Sequence, residues 1–144
     1  MGIIGFNFTK MTGERINAPS GKIQINNNAS IKDVSEAEFN FGKAKQPGIR
    51  FTFQFTSQYT PNIATIDFTG ELLFSAEPKK CKEMISAWKK KEKLPQVVMT
   101  EVLNTIMTKC NIEALLLSRE LNLPPPIQLP RINEAQQDNK DYIG

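Results

Sequence analysis

Histidine is absent from all 144 residues, and cysteine occurs only twice, as Cys81 and Cys110. Without imidazole there is no Ser-His-Asp or Cys-His nucleophilic site, and most zinc and non-haem iron sites are excluded as well. Long apolar runs are missing too: no stretch approaches the roughly 18 residues that read as a membrane span. The opening Met1-Gly2-Ile3-Ile4-Gly5-Phe6 lacks the basic flank of a signal peptide, and Asn7, Thr9 and Lys10 interrupt it at once. Phe6 stands where N-myristoylation of Gly2 needs serine or threonine. Both cysteines fall on apolar faces of predicted helices, the setting of buried free thiols in a reducing cytoplasm.

Carboxylates remain as a route to catalysis. Asp67 and Glu71 share the polar face of one predicted strand, which sets them ~13 Å apart. That exceeds the spacing of a retaining or an inverting glycosidase pair. Glu36 and Glu38 are nearer each other but fall in a weakly patterned region. No acid–base or metal constellation results, so the expectation is a protein that is not an enzyme and needs no cofactor.

Composition sets the scale of the fold. An apolar fraction of 40% and a charged fraction of 23% are ordinary for a globular chain, and the length suits one domain with a real core. The clearest pattern runs from Ile49 to Tyr59. Ile49, Phe51, Phe53, Phe55 and Tyr59 alternate strictly with Arg50, Thr52, Gln54, Thr56 and Gln58, which is a half-buried strand. Thr60-Pro61-Asn62 is a turn, after which Ala64, Ile66, Phe68, Gly70, Leu72 and Phe74 resume the alternation. These two segments predict an antiparallel hairpin. Upstream, Ile4, Phe6 and Phe8 mark a first strand, and residues from Gly21 to Val34 a second, kinked at Asn26-Asn27-Asn28. Residues from Gly42 to Gly48 read as a loop because of Gln46-Pro47-Gly48.

The period then changes from two to 3.6. A helix opens at Glu77-Pro78, with Cys81, Met84, Ile85 and Trp88 forming one apolar stripe. Leu94-Pro95 separates it from a second helix running from Val97 to Leu121, striped by Val98, Val102, Ile106, Cys110, Ala114 and Leu117 and widened by Leu103 and Met107. Asn122 suits a left-handed cap, and Pro124 stops the helix. Strands first and helices second predict an α+β fold: a four-stranded antiparallel meander sheet followed by two helices packed on one face. The expected domain spans residues 1–132, and the polar residues 133–144 form a flexible tail.

Two surfaces stand out. Between Lys79 and Lys93 lie seven lysines (79, 80, 82, 89, 90, 91 and 93) against Glu83 and Glu92, a local excess of five positive charges in a chain of net charge +3. Lys79, Lys80, Lys82, Lys89, Lys90, Lys91 and Lys93 are thus candidates for a phosphate-facing patch directed at RNA or a ribosomal surface. The second surface follows the second helix as Leu123-Pro124-Pro125-Pro126-Ile127-Gln128-Leu129-Pro130, a strap stiffened by proline yet strongly apolar. Each of Leu123, Ile127 and Leu129 gains roughly 1.5–3 kcal/mol from burial, so the strap packs on its own domain or lips a groove. Met84, Met99 and Met107, with Trp88, add adaptable apolar surface near the helix-to-strap region.

This layout resembles the SecB-type export chaperones. The residues that carry the likeness are the strand from Phe51 to Phe55, Gly70-Glu71-Leu72-Leu73-Phe74, and the block from Leu94-Pro95 to Pro130. That block ends in Leu121-Asn122-Leu123-Pro124-Pro125 and Ile127-Gln128-Leu129-Pro130. The resemblance implies a chaperone that holds unfolded or extended polypeptides in apolar grooves between helices and sheet, without ATP or metal. It also implies a homo-oligomer, dimer or tetramer, that buries the first helix and sheet surfaces. On that picture Met84, Trp88, Met99, Met107, Leu123, Ile127 and Leu129 line the polypeptide groove or an interface. Family members are usually acidic, and that acidity serves docking to the export ATPase; this chain is net basic.

Overall fold

The computed structural model describes residues 2–42 and 44–129. The expected tail at 133–144, the end of the predicted domain and Pro130 at the end of the strap lie outside the described residues. In chain order come β1 (Gly2–Arg15), β2 (Gln24–Phe41), β3 (Ala44–Thr60), β4 (Ala64–Ser75), α1 (Pro78–Lys89) and α2 (Gln96–Glu120). The α+β class, the single antiparallel sheet and the two following helices are as the sequence pattern led us to expect.

The strand order departs from a plain meander. It is β1-β4-β3-β2, so β2, β3 and β4 are sequential neighbours while β1 crosses over to lie beside β4. The reason is burial. β3 and β4 present a complete apolar side, with Ile49, Phe51, Phe53, Phe55, Ile66, Phe68 and Leu72 fully buried, and both belong in the centre. Had β1 paired with β2, β4 would have been left as an edge with a row of large apolar side chains beside open solvent.

Local register corrects several expectations. In β1 a bulge between Ile3 and Gly5 resets the alternation, so Ile3, not Ile4, shares the inward face with Phe6 and Phe8. Ile4 is left 41% exposed. The triple asparagine does not kink β2: Asn26, Asn27 and Asn28 pair in register with Gln58, Ser57 and Thr56, and the irregularity falls between Ile31 and Asp33. The Asn27 side chain explains this, since its Oδ1 accepts a 2.6 Å hydrogen bond from the buried Ser57 hydroxyl. The predicted loop over Gly42 to Gly48 is largely strand, with Glu38 opposite Pro47 and Glu36 opposite Ile49. Pro47 is tolerated because β4 ends opposite Gly48, so that stretch of β3 is paired on its β2 side only and open on the other.

Both helices pack on the apolar side of the sheet. Cys81 and Met84 of α1 and Val98, Val102, Ile106, Cys110 and Ala114 of α2 join the strand residues in one core. Phe53 is its aromatic hub, stacked on Phe6 at 5.1 Å and edge-on to Phe8 at 6.2 Å. The opposite side of the sheet is polar. There Arg50 pairs with Glu71 at 3.1 Å, and Gln54 donates to the Asp67 carboxylate at 3.1 Å. Asp67 and Glu71, one of the two carboxylate pairs weighed for catalysis, are therefore occupied by neighbours on an open sheet face.

Candidate functional site

The helix ends explain how the candidate residues are placed. α1 closes with a left-handed residue, Lys91 at φ 58°, while Glu92 N–H donates to Ala87 O at 2.8 Å and Lys91 N–H to Trp88 O at 3.1 Å. This is a two-bond helix stop, and it turns the chain so that Pro95 can start α2. α2 stops in the same way: Asn122 takes φ 54°, and Leu123 N–H donates to Ser118 O at 2.8 Å. The residues at the α1–α2 turn and after α2 are thus held by hydrogen bonds.

At the α1–α2 turn an open cleft of ≈ 1030 Å³ has Val34, Trp88, Leu94 and Met99 as its apolar floor. Lys89, Lys91 and Lys93 stand around it, together with Asp33 and Glu92. Trp88 is not fully absorbed into the stripe expected of it, because Cys81 and Met84 fill the core contact and leave Ile85 and Trp88 half-buried. A second cleft of ≈ 340 Å³ lies on the other side of the same turn, bordered by Met84, Pro95, Val98, Lys80 and Lys93. A third, of ≈ 390 Å³, runs beside α1 with Cys81, Ile85, Lys82, Lys89, Lys90 and Glu36. Lys79 lines none of these three. All seven lysines are exposed, and among the described residues none stands in an ion pair with a carboxylate.

The strap sits at the far end of α2, roughly 35 Å away along the helix axis. Its first half closes over its own sheet. Leu123 is 8% exposed, the Tyr59 hydroxyl donates to Pro124 O at 2.7 Å, and Asn27 Nδ2 donates to Pro126 O at 2.7 Å. Its second half opens outward, with Ile127 half-buried and Leu129 49% exposed. Met107 lies between the two ends, half-buried against the core. Met84, Trp88 and Met99 are thus gathered at the turn; Leu123, Ile127 and Leu129 form a separate patch. Val34 and Leu94 are floor residues that sequence reasoning missed. Val34 sits on a different element, and no local signal connects it to Trp88.

Three groups are held neutral by this packing. Burial pushes the Tyr59 hydroxyl up from 10.0 to about 12, against an opposing hydrogen bond from Ser118. Burial, with the Glu113 charge, pushes the Cys110 thiol up from 9.0 to about 12. Burial also raises the Cys81 thiol, helped by Glu36. For such acids the folded state keeps a proton that the unfolded chain releases. Their contribution is therefore complete below about pH 9 and is lost as pH rises towards about 12. Thermal midpoints should fall across that window, and the fall from pH 10 to 12 should be shallower in Tyr59→Phe.

No protein-family model matches this chain, and no curated protein matches it. Solved structures do, among them one with a TM-score of 0.53 at 13% identity, covering 90% of this chain and 88% of the other. It is a SecB-like chaperone from Mycobacterium tuberculosis, in complex with a ChAD peptide from the HigA1 antitoxin. The fold is SecB-like. No helix among the described residues is long and apolar enough to cross a membrane.

Proposed function

We propose that this protein is a non-enzymatic, cytoplasmic holding chaperone that takes extended apolar segments of unfolded polypeptides into the cleft at the α1–α2 turn. The observation that carries this reading is the open floor of Trp88, Leu94 and Met99, apolar side chains that the fold's own core leaves half-exposed beside the buried Val34. A large aromatic side chain and an adaptable thioether suit varied apolar partners. The SecB-like fold supports it, and so does the peptide held by the mycobacterial structure. The active form in this proposal is a homo-oligomer, dimer or tetramer. Ile112 and Leu116, one turn apart on α2 and 53% and 49% exposed, suit burial against a second copy.

Light scattering by a chemically unfolded client tests the reading, with the solution mass measured on the same sample. The parent protein should suppress scattering as an oligomer. Met99→Asp should need about fivefold more protein for the same effect, because a charge on the floor repels apolar segments. No suppression by the parent, or equal suppression by Met99→Asp, would sink the proposal; a monomeric mass would remove its assembly part. The exposed lysines of α1 and the turn after it favour a second reading, an accessory protein on RNA or the ribosome. In that case binding falls steeply with salt, and the slope shrinks when Lys89, Lys90 and Lys91 are neutralised.

A further inference from the structure

Seven lysines along α1 and the turn after it read most simply as a surface for a polyanion. Their placement in three dimensions says something narrower. Lys80, Lys82, Lys89, Lys90, Lys91 and Lys93 each border a cleft with apolar side chains beside them. A phosphate backbone needs an accessible cationic surface, and single-stranded nucleic acid adds aromatic faces for bases to stack on. Here the single aromatic, Trp88, belongs to an aliphatic and thioether floor. That floor gains most from an apolar side chain. The ammonium groups around it meet whatever precedes and follows that side chain.

We propose that the cleft at the α1–α2 turn selects extended polypeptide segments in which an apolar anchor is flanked by aspartate or glutamate. The inference rests on the polypeptide-binding reading above and adds to it the chemistry of the segment. The apolar anchor sits over Trp88, Leu94 and Met99. Its acidic flanks lie against Lys89, Lys91 and Lys93, three cations that outnumber Asp33 and Glu92 around the same cleft. None of those lysines is engaged by a carboxylate among the described residues, so their charge is available to a ligand. The strap, by contrast, carries no charged residue from Leu123 to Leu129 and has no means of making this distinction. Charge complementarity at a partly desolvated rim sets partner choice more than total affinity.

The test uses synthetic peptides of about 15 residues that share one central apolar run and differ only in their flanks: aspartate, serine or lysine. Binding is read by fluorescence anisotropy with a neutral dye, at about 20 mM and about 0.5 M salt. The aspartate peptide should bind about tenfold more tightly than the serine one at low salt, the lysine peptide more weakly still, and the gap should narrow at high salt. The combined Lys89→Glu, Lys91→Glu and Lys93→Glu variant should reverse that order, whereas Trp88→Ala should weaken all three peptides alike. Equal affinity for the three peptides would overturn the charge selectivity and leave the polypeptide reading intact. Client suppression without binding of any peptide would overturn the assignment to this cleft. Absence of both would overturn the polypeptide reading as well. A mixed-sequence RNA of about 20 nucleotides that binds more tightly than the aspartate peptide and displaces it would hand these lysines to nucleic acid instead.

Discussion

Gly70→Ala should unfold this protein or lower its stability by about 4 kcal/mol, a magnitude reserved for severe core damage. Gly70 lies in the middle of β4, opposite Phe8 of β1 and Phe53 of β3. A Cβ there would collide with the Asn7 backbone carbonyl oxygen and with the Phe53 ring. Neither can yield cheaply: the carbonyl belongs to the sheet, and Phe53 is stacked on Phe6 at 5.1 Å. Gly13→Ala supplies the graded comparison. Its Cβ would meet Leu117 Cδ2 at 2.7 Å, but that is the end of a flexible side chain, so a loss of about 1–2 kcal/mol is expected. Gly2, with nothing within 4 Å, should tolerate alanine. Urea unfolding of the three variants checks the series, and a Gly70→Ala protein within about 1 kcal/mol of the parent would contradict the packing described for the central strands.

Leu123→Asp should act on the fold before it acts on any client. Leu123 is 8% exposed and is fixed by its own N–H to Ser118 O at 2.8 Å. Losing its apolar burial removes roughly 1.5–3 kcal/mol, and placing a carboxylate there adds the desolvation of a charge. A loss of about 4 kcal/mol with release of the strap is the expected result. Release would also strip the Tyr59 hydroxyl of the Pro124 carbonyl, leaving a buried donor unpaired. Leu129→Asp is the control: at 49% exposure it should change stability by less than about 0.5 kcal/mol. Limited proteolysis at the strap and thermal unfolding read both variants. If Leu123→Asp kept full stability and lost only client holding, the strap would be a groove lip rather than a cover for the protein's own sheet.

Particular elements show how far residue order alone could reach. The strands from Ile49 to Tyr59 and from Ala64 to Phe74 were legible because side chains alternate every residue, and burial on one side follows from that period whatever the neighbours are. The stop at Asn122 was legible for an equally local reason, since asparagine tolerates the left-handed backbone that a helix end requires. The loop expected at Gln46-Pro47-Gly48 failed because proline is forbidden only where a partner strand needs its N–H. Whether that partner exists depends on where β4 ends. The candidate site divided for a similar reason. Met84, Trp88 and Met99 are near in sequence to one turn, whereas Leu123, Ile127 and Leu129 follow a helix of 25 residues that carries them away from it.

By itself, then, the sequence determined the class of the fold, its two central strands, both helices, the stop of the second, and the gathering of positive charge along the first helix and the turn after it. All of these follow from short-range periods and local backbone preferences. Strand order, the closure of the strap over the sheet and the apolar floor beneath the lysines were decided only in three dimensions. Each depends on which distant surface competes best for burial: β4 rather than β2 beside β1, the carbonyls of Pro124 and Pro126 beside Tyr59 and Asn27, and Val34 in one cleft with Trp88. The lysines were visible in the sequence as charge, but the apolar side chains between them became visible only when the chain had folded.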